Sequence, residues 1–240
     1  MDQKYVKTST KQRVIILSVA ILMLAATIAT YVLVILNNKN GTSSSSSELS
    51  SEAQVQLANL QTEYSRKGDE VTTRAAVLSG QYFNEFKQYK SRVRAYNAAT
   101  ANANGLKTED LKTGSGRMLT DGDTNYLAYY IGFCSDESIF DSSFNDKTNP
   151  TALNAPLSAQ VGLIEGWNAG VVGMKLGGVR EITIPGELAY GETQEICGGT
   201  NSPLKFVVMA IEDSEIKKLL DEQDDIYAQM LQVYYNSANS

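Results

Sequence analysis

The residues that could do chemistry in this chain are aromatic and acidic, not imidazole or thiolate groups. The 240 residues include no histidine, so Ser-His-Asp or Cys-His catalysis, a His-ligated zinc and a histidine pH switch are excluded. Two cysteines cannot form an all-cysteine zinc site. The glycine-rich stretch at 170–178 lacks the GxGxxG spacing and the GK[ST] ending of phosphate-binding loops. We therefore expect no cofactor and no metal.

The composition indicates a globular protein with an acidic surface. Apolar residues make up 42% and charged residues 20%, and the length allows one ordinary domain with helical extensions. The net charge of −6 disfavours a nucleic-acid partner, because such binding needs a basic face that releases phosphate counterions.

Residues 14–36 are predicted to form a transmembrane helix. They carry no charge, and at about 1.5 Å per residue they reach roughly 34 Å, enough to cross a hydrocarbon core of about 30 Å. Most charges in residues 1–13 are basic, which places this tail in the cytoplasm and the rest of the chain outside a cell membrane crossed once. A buried core helix and a cleaved signal peptide are the alternatives. The apolar run exceeds the usual signal-peptide length of about 7–15 residues, which favours an uncleaved anchor.

The remaining chain divides into a linker, two helical arms and a central domain. Residues 37–51 are rich in serine and predict a flexible tether. Apolar residues at three-and-four spacing predict an amphipathic helix from about 52 to 98 and another from about 214 to 235. The predicted boundaries are a helical arm at 52–104, a domain at 105–213 and a C-terminal helix at 214–240.

The arms leave three questions open. Gly68 could split the first arm into two helices. Lys67 and Arg74 fall on its apolar stripe, which makes a continuous coiled coil doubtful. Neither arm can bury its stripe alone. The arms are therefore expected either to pack on each other or on the domain, or to form a surface for homodimerisation or client binding.

The central domain is predicted to be α+β. Apolar strings at 126–131, 181–184 and 204–211 are typical of strands, and 164–174 has helical spacing before a Gly-Gly turn. Strands with one short helix indicate an antiparallel sheet with that helix on one face.

Five motifs in this region, in consistent order, resemble the FKBP-type peptidyl-prolyl cis-trans isomerases. Residues 163–180 read LIEGWNAGVVGMKLGGVR and are similar to the tryptophan-bearing helix segment of the family. The other motifs are GSGR at 114–117, YYIG at 129–132, IFDSS at 139–143, and ITIP at 182–185 followed by LAYG at 188–191. The resemblance implies a curved antiparallel sheet of about five strands wrapped on a short helix, with the active pocket between helix and sheet.

The reaction implied by the resemblance breaks no bond. The barrier to rotation about the X-Pro amide, about 18–20 kcal/mol, is the loss of amide resonance. A catalyst must bind the twisted amide better than the planar one. A dry aromatic pocket suits the twisted amide, because its carbonyl loses partial charge. Neither a nucleophile nor a metal is required.

The resemblance implies that the pocket is aromatic. Trp167 would form its floor under the proline ring, and its walls would be Tyr130, Phe140 and Phe206. Each of these could instead be an ordinary core aromatic.

The polar parts of the implied site are few. The Ile164 backbone N–H would bind a substrate carbonyl, and the Tyr190 hydroxyl would donate to another. Asp141 would be a buried-edge carboxylate, hydrogen-bonded to Tyr130 and facing the amide without attacking it. Turn formation is the alternative role for Asp141 and Tyr190. Two further residues are assigned to substrate binding: Leu163 and Ile196.

Cys134 and Cys197 are predicted to lie outside the cell, where disulfides persist. The hypothesis is one bridge that ties the pocket loop to the sheet; the alternative is two inert buried thiols.

The leading hypothesis is a membrane-anchored isomerase that assists the folding of exported proteins containing X-Pro bonds. Its alternatives are a non-catalytic binding or chaperone module that holds a partner protein, and an oligomeric stalk capped by the domain. The resemblance also raises macrolide immunosuppressants as ligands.

Overall fold

A computed structural model describes residues 49–159 and 162–238. The predicted tail at 1–13, the predicted transmembrane helix at 14–36 and most of the linker lie outside the described residues. Within the described ranges, no helix combines the length and the apolar character needed to cross a bilayer.

The described chain is an antiparallel sheet combined with helices, which confirms the α+β prediction. Helices cover both faces of the sheet, whereas the central-domain pattern predicted a helix on one face. The helices are α1 (Ser51–Lys87), α2 (Ala98–Ala103), α3 (Glu165–Val171) and α4 (Ser214–Ala238). The strands are β1 (Lys107–Lys112), β2 (Leu127–Phe133), β3 (Ile139–Ser142), β4 (Leu157–Ser158), β5 (Val179–Ile184) and β6 (Leu204–Ile211). Short 3-10 turns lie at Gln88–Arg92, Gly186–Leu188 and Gly191–Thr193.

The strand order is β1-β5-β6-β2-β3, with β4 paired to β2. Both faces of β2 and β6 are covered by packed side chains, which explains why both strands read as nearly continuous apolar runs. The sheet has six strands, whereas about five were expected. The additional strand is β4, which was not predicted because two residues are too few to show a pattern in the sequence.

The two-residue period of β2 separates two cores. Tyr129, Ile131 and Phe133 pack against α1 on one face, while Ala128 and Tyr130 pack on the other face with α3. The strand β6 alternates in the same way. Each central strand therefore supports both helical layers.

The first arm is one helix that is shorter than predicted. The Ser50 hydroxyl caps α1 by accepting a hydrogen bond from the Ala53 N–H at 3.2 Å. Gly68 does not split the helix. The prediction that the helix reaches 98 is wrong: Val93 is already extended, because the chain there turns back onto the sheet, where the Tyr96 hydroxyl donates to the Pro203 carbonyl at 2.9 Å.

The arms pack on each other, which confirms the first alternative drawn from their apolar stripes. Helix α4 runs antiparallel to α1, with Lys67 paired to Glu222 and Arg74 paired to Asp213. A small apolar cluster beyond these pairs contains Leu57, Ile226 and Met230. Lys67 and Arg74, which made a continuous coiled coil doubtful, thus pair with α4 and hold the two helices together. We call this antiparallel helix pair the α1–α4 hairpin, although its helices are far apart in sequence.

Candidate functional site

Helix α3 lies unusually close to the sheet because its inner face is built from glycine. A Cβ at Gly166 would lie 2.2 Å from Ile184 Cγ2, and one at Gly170 would lie 2.5 Å from Ile182 Cγ2. Trp167, between these glycines, is only 2% exposed, and its indole N–H donates to the Tyr126 hydroxyl at 2.9 Å. The contacts fix the indole ring between helix and sheet.

A buried arginine ends this helix earlier than the spacing predicts. Arg180 Nη1 donates to the carbonyls of Gly170 and Val172 at 3.0 and 2.8 Å, while Asp110 accepts from its Nε at 2.6 Å. These bonds satisfy carbonyls that a helix C-terminus leaves unpaired. Gly173 then turns the chain away with a φ of 79°.

The aromatic residues expected as walls surround the indole ring. The Tyr130 and Phe206 rings lie 5.6 and 5.2 Å from that of Trp167, at interplanar angles of 85° and 79°. Phe140 meets Phe206 at 5.5 Å and 90°. These edge-to-face contacts hold the rings in fixed orientations. Phe206 and Trp167 are buried, whereas Tyr130 and Phe140 remain partly exposed and so mark the accessible side.

Gly132 makes room for this arrangement. A Cβ there would lie 2.6 Å from Phe140 Cζ and 2.8 Å from Phe206 Cε1. The glycine of the YYIG motif is therefore needed where two aromatic rings cover the sheet.

Asp141 accepts a hydrogen bond from the Tyr130 hydroxyl at 2.6 Å, and its other oxygen accepts from the Ser142 N–H at 2.8 Å. The residue is exposed, so its description as a buried-edge carboxylate is wrong; strand β3 is at the edge of the sheet. Burial and then the hydrogen bond to Asp141 raise the pKa of Tyr130 far above its ordinary value. The phenol therefore remains a donor at neutral pH.

The other expected residues lie at the same cluster. Tyr190 is half-buried, and burial followed by the charge of Asp141 raises its pKa. Ile164 is the N-cap residue of α3, so its backbone immediately precedes the helix that carries Trp167. Partly buried apolar side chains complete the cluster: Leu163 and Ile196.

Two residues of the site were not anticipated. Tyr126 supplies the acceptor for the indole, and burial raises its pKa to about 12. Lys147 Nζ donates to the Phe140 carbonyl at 2.6 Å, next to Asp141. A buried tryptophan needs an acceptor, which is the signal for Tyr126, but nothing in the sequence singles out Lys147.

A disulfide joins Cys134, just after β2, to Cys197 in the loop beside Tyr190, with 5.4 Å between the Cα atoms. This is the pairing raised from the sequence. Ile196 and Gly199 exchange backbone hydrogen bonds at 3.0 and 3.3 Å across a turn in which Gly198 has a φ of 86°. The loop that carries Ile196 is thereby closed on itself and attached to the sheet.

Comparison with known proteins agrees with this geometry. Residues 116–211 match the family described as FKBP-type peptidyl-prolyl cis-trans isomerase. The chain is 37% identical over 111 residues to FK506-binding protein 4 of Chaetomium thermophilum, covering 45% of this chain and 21% of the relative. FK506-binding protein 4 of Neurospora crassa is 39% identical over 111 residues, which cover 45% of this chain and 22% of the relative. The chain thus spans about a fifth of the length of these curated relatives.

Among solved structures, AtFKBP13 is 28% identical, with a TM-score of 0.37, and the match covers 47% of this chain and 96% of that one. The family match at 116–211 covers strands β2 to β6 of the sheet and the helix that carries Trp167, and in the described residues the α1–α4 hairpin flanks this region.

Proposed function

We propose that this protein is a peptidyl-prolyl cis-trans isomerase that binds X-Pro segments over Trp167. The observation that carries the proposal is the orthogonal aromatic cluster around a fixed indole, with the Tyr130–Asp141 hydrogen bond at its exposed side. The proline ring enters from the side of Tyr130 and Phe140, which remain partly exposed, and approaches the buried indole from there.

The site accelerates rotation by desolvation and not by bond chemistry. Aromatic walls exclude water from an amide whose twisted form is less polar than its planar form. Stabilising that form by about 5–7 kcal/mol gives roughly 10⁴–10⁵ in rate. Asp141 faces the amide and, with the Tyr130 hydroxyl, orients the chain around it. Tyr190 and the Ile164 N–H bind the flanking carbonyls.

Catalysis is tested by following the cis-to-trans rate of proline-containing tetrapeptides. Phe206→Ala removes a wall and Asp141→Asn removes the carboxylate charge. We expect each to lower kcat/KM by at least tenfold, equivalent to about 1.4 kcal/mol in the barrier. The matched control is Asp121→Asn, an exposed carboxylate in a turn that contributes no side chain to the aromatic cluster, which should match the wild type.

Background rates for the wild-type protein would overturn the proposed catalysis. If the same protein still binds the tetrapeptides, its domain is a non-catalytic binding module. The names of the relatives suggest FK506 as a competing ligand; we expect it to inhibit the wild type by occupying the indole surface.

We further propose that the chain is anchored in a cell membrane and assists the folding of exported proteins. The uncharged run at 14–36 supports the anchor, and the disulfide supports an oxidising compartment. The anchor predicts that the full chain resists alkaline extraction from membranes. The orientation predicts that externally added protease removes the domain and leaves residues 1–13 protected. Extraction into the soluble fraction would refute the anchor without bearing on catalysis.

A further inference from the structure

The α1–α4 hairpin changes character sharply along its length. Between residues 49 and 62 the only charged residue is Glu52, and between residues 226 and 238 there is none. From Glu63 onward on α1, and from Asp225 back on α4, charged residues are frequent and form ion pairs within and between the helices. We call residues 49–62 and 226–238 the neutral end.

The boundary of the neutral end is at the same level on both helices. The Gln223 side chain donates to the Tyr64 carbonyl at 3.5 Å, so residue 223 lies beside residue 64. Charges therefore stop together on both helices. The two helices are far apart in sequence, and yet their uncharged segments begin at the same level. This alignment indicates that the whole neutral end lies in one common environment.

The neutral end exposes aromatic and apolar side chains among amides. Val55 is 61% exposed, Tyr234 is 42% exposed and Tyr235 is 62% exposed. Tyrosine places an apolar ring beside a hydroxyl and is enriched where bilayers meet water. Exposed amide side chains lie among them, and an amide can exchange hydrogen bonds with neutral headgroups; they are Gln56, Asn59, Gln229 and Gln232.

The position of this end in the chain selects its partner. Residues 37–48 join it to the apolar run at 14–36. Serine-rich linkers of twelve residues span a root-mean-square length of about 20 Å in general. The neutral end, which is itself about 20 Å long, is thus held within reach of the surface in which that run would be embedded.

From these observations we propose that the neutral end of the hairpin rests in the headgroup layer of the bilayer, so that the hairpin holds the catalytic domain away from the membrane. This inference rests on the anchor in the proposed function. The acidic remainder of the chain would be repelled by anionic lipid, whereas an uncharged end is not. Helix α1 meets the sheet from Val71 onward, so its charged segment from Glu63 to Val71 then sets a spacing of about 12 Å between lipid and sheet.

The test uses the full chain reconstituted into phosphatidylcholine vesicles, with an environment-sensitive dye on a single introduced thiol. The native cysteines form a disulfide and do not react. Dye positions are Val55→Cys and Tyr235→Cys at the neutral end, with Thr72→Cys midway along α1 and Asp121→Cys on the domain as matched exposed controls. A lipid with a nitroxide headgroup is the quencher.

We expect quenching at positions 55 and 235 that is several-fold stronger than at 72 and 121. Equal quenching at all four positions, or none at 55 and 235, would overturn the proposal. Energy transfer between differently labelled copies at position 235, without lipid quenching, would assign the surface to a second copy instead.

A charge-insertion variant provides an independent check. Tyr234→Glu with Tyr235→Glu should remove most of the quenching at position 55, whereas Tyr234→Gln with Tyr235→Gln should retain most of it. Both pairs are solvent-exposed changes, and helical circular dichroism verifies that the hairpin persists. Equal quenching in the two variants contradicts the proposal. Alkaline extraction and peptide isomerisation, measured on the same vesicles, report failure of the anchor or of catalysis separately.

Discussion

At the scale of single residues, the site depends on a missing side chain as much as on those present. The Tyr130, Phe140 and Phe206 rings keep their angles because Gly132 leaves the surface of the sheet flat beneath them. The Tyr130 hydroxyl donates to Asp141 at the exposed side, and burial followed by this hydrogen bond raises the pKa of Tyr130.

We predict that Gly132→Ala lowers both activity and stability. Its methyl group would meet Phe140 and Phe206 at distances that force both rings to move, at a cost of about 1–3 kcal/mol. The rate of tetrapeptide isomerisation should fall by at least tenfold, and urea unfolding should show the loss of stability. The control is Gly80→Ala in α1, where a Cβ meets nothing within 4 Å. That change should stabilise the helix by about 0.5–1 kcal/mol and leave the rate unchanged. Similar rates in both variants would show that ring placement is unimportant.

At the scale of elements, the start of α4 combines a cap with an ion pair. Asp213 Oδ1 accepts from the Ile216 N–H at 2.9 Å, and the same carboxylate pairs with Arg74 of α1. The hydrogen bond from Arg74 is the main cause that lowers the pKa of Asp213. One side chain thus starts a helix and attaches it to its neighbour.

The lowered pKa predicts acid sensitivity of the hairpin. A carboxyl group whose folded pKa lies below its unfolded value, about 3.9, stabilises the fold above that value and loses its contribution as the pH falls through the folded value. Asp213→Asn keeps a capping side chain but removes the charge. Thermal unfolding followed by circular dichroism should show a lower melting temperature than wild type at neutral pH, with the difference narrowing as the pH is lowered below about 4. A difference that stays constant across this range would contradict the ion-pair explanation.

At the scale of the whole molecule, the disulfide connects the loop of the site to the central strand of the sheet. In the chain-entropy model, closing a loop with a sequence separation of 63 contributes roughly 4 kcal/mol by limiting the unfolded chain. Cys134→Ser with Cys197→Ser should therefore lower the urea midpoint and increase proteolysis near residue 197. A reductant should reproduce this effect in the wild type and change nothing in the double variant. If neither the double substitution nor the reductant altered the urea midpoint, the disulfide would contribute nothing to stability.

The sequence was sufficient for the features that have a local pattern. Strand β6 has the predicted bounds, and the order of the motifs gave the residues around Trp167. Helix ends were less accurate because they depend on tertiary contacts. Helix α3 ends where Arg180, held by the distant Asp110, binds its last carbonyls. The chain after α1 turns back to the sheet, where Tyr96 binds the distant Pro203. The exposure of Asp141 was also missed, since it depends on β3 being an edge strand.

Strands β2 and β6 contribute to the cores on both faces of the sheet, and this has a consequence for truncated forms of the protein. A fragment cut at 105 and 213 would retain the whole aromatic cluster, yet it would uncover Tyr129, Ile131 and Phe133 together with their neighbours on β6. An exposed apolar surface of this kind promotes aggregation during expression. Recombinant work on the catalytic portion should therefore begin near residue 49 and keep the last helix.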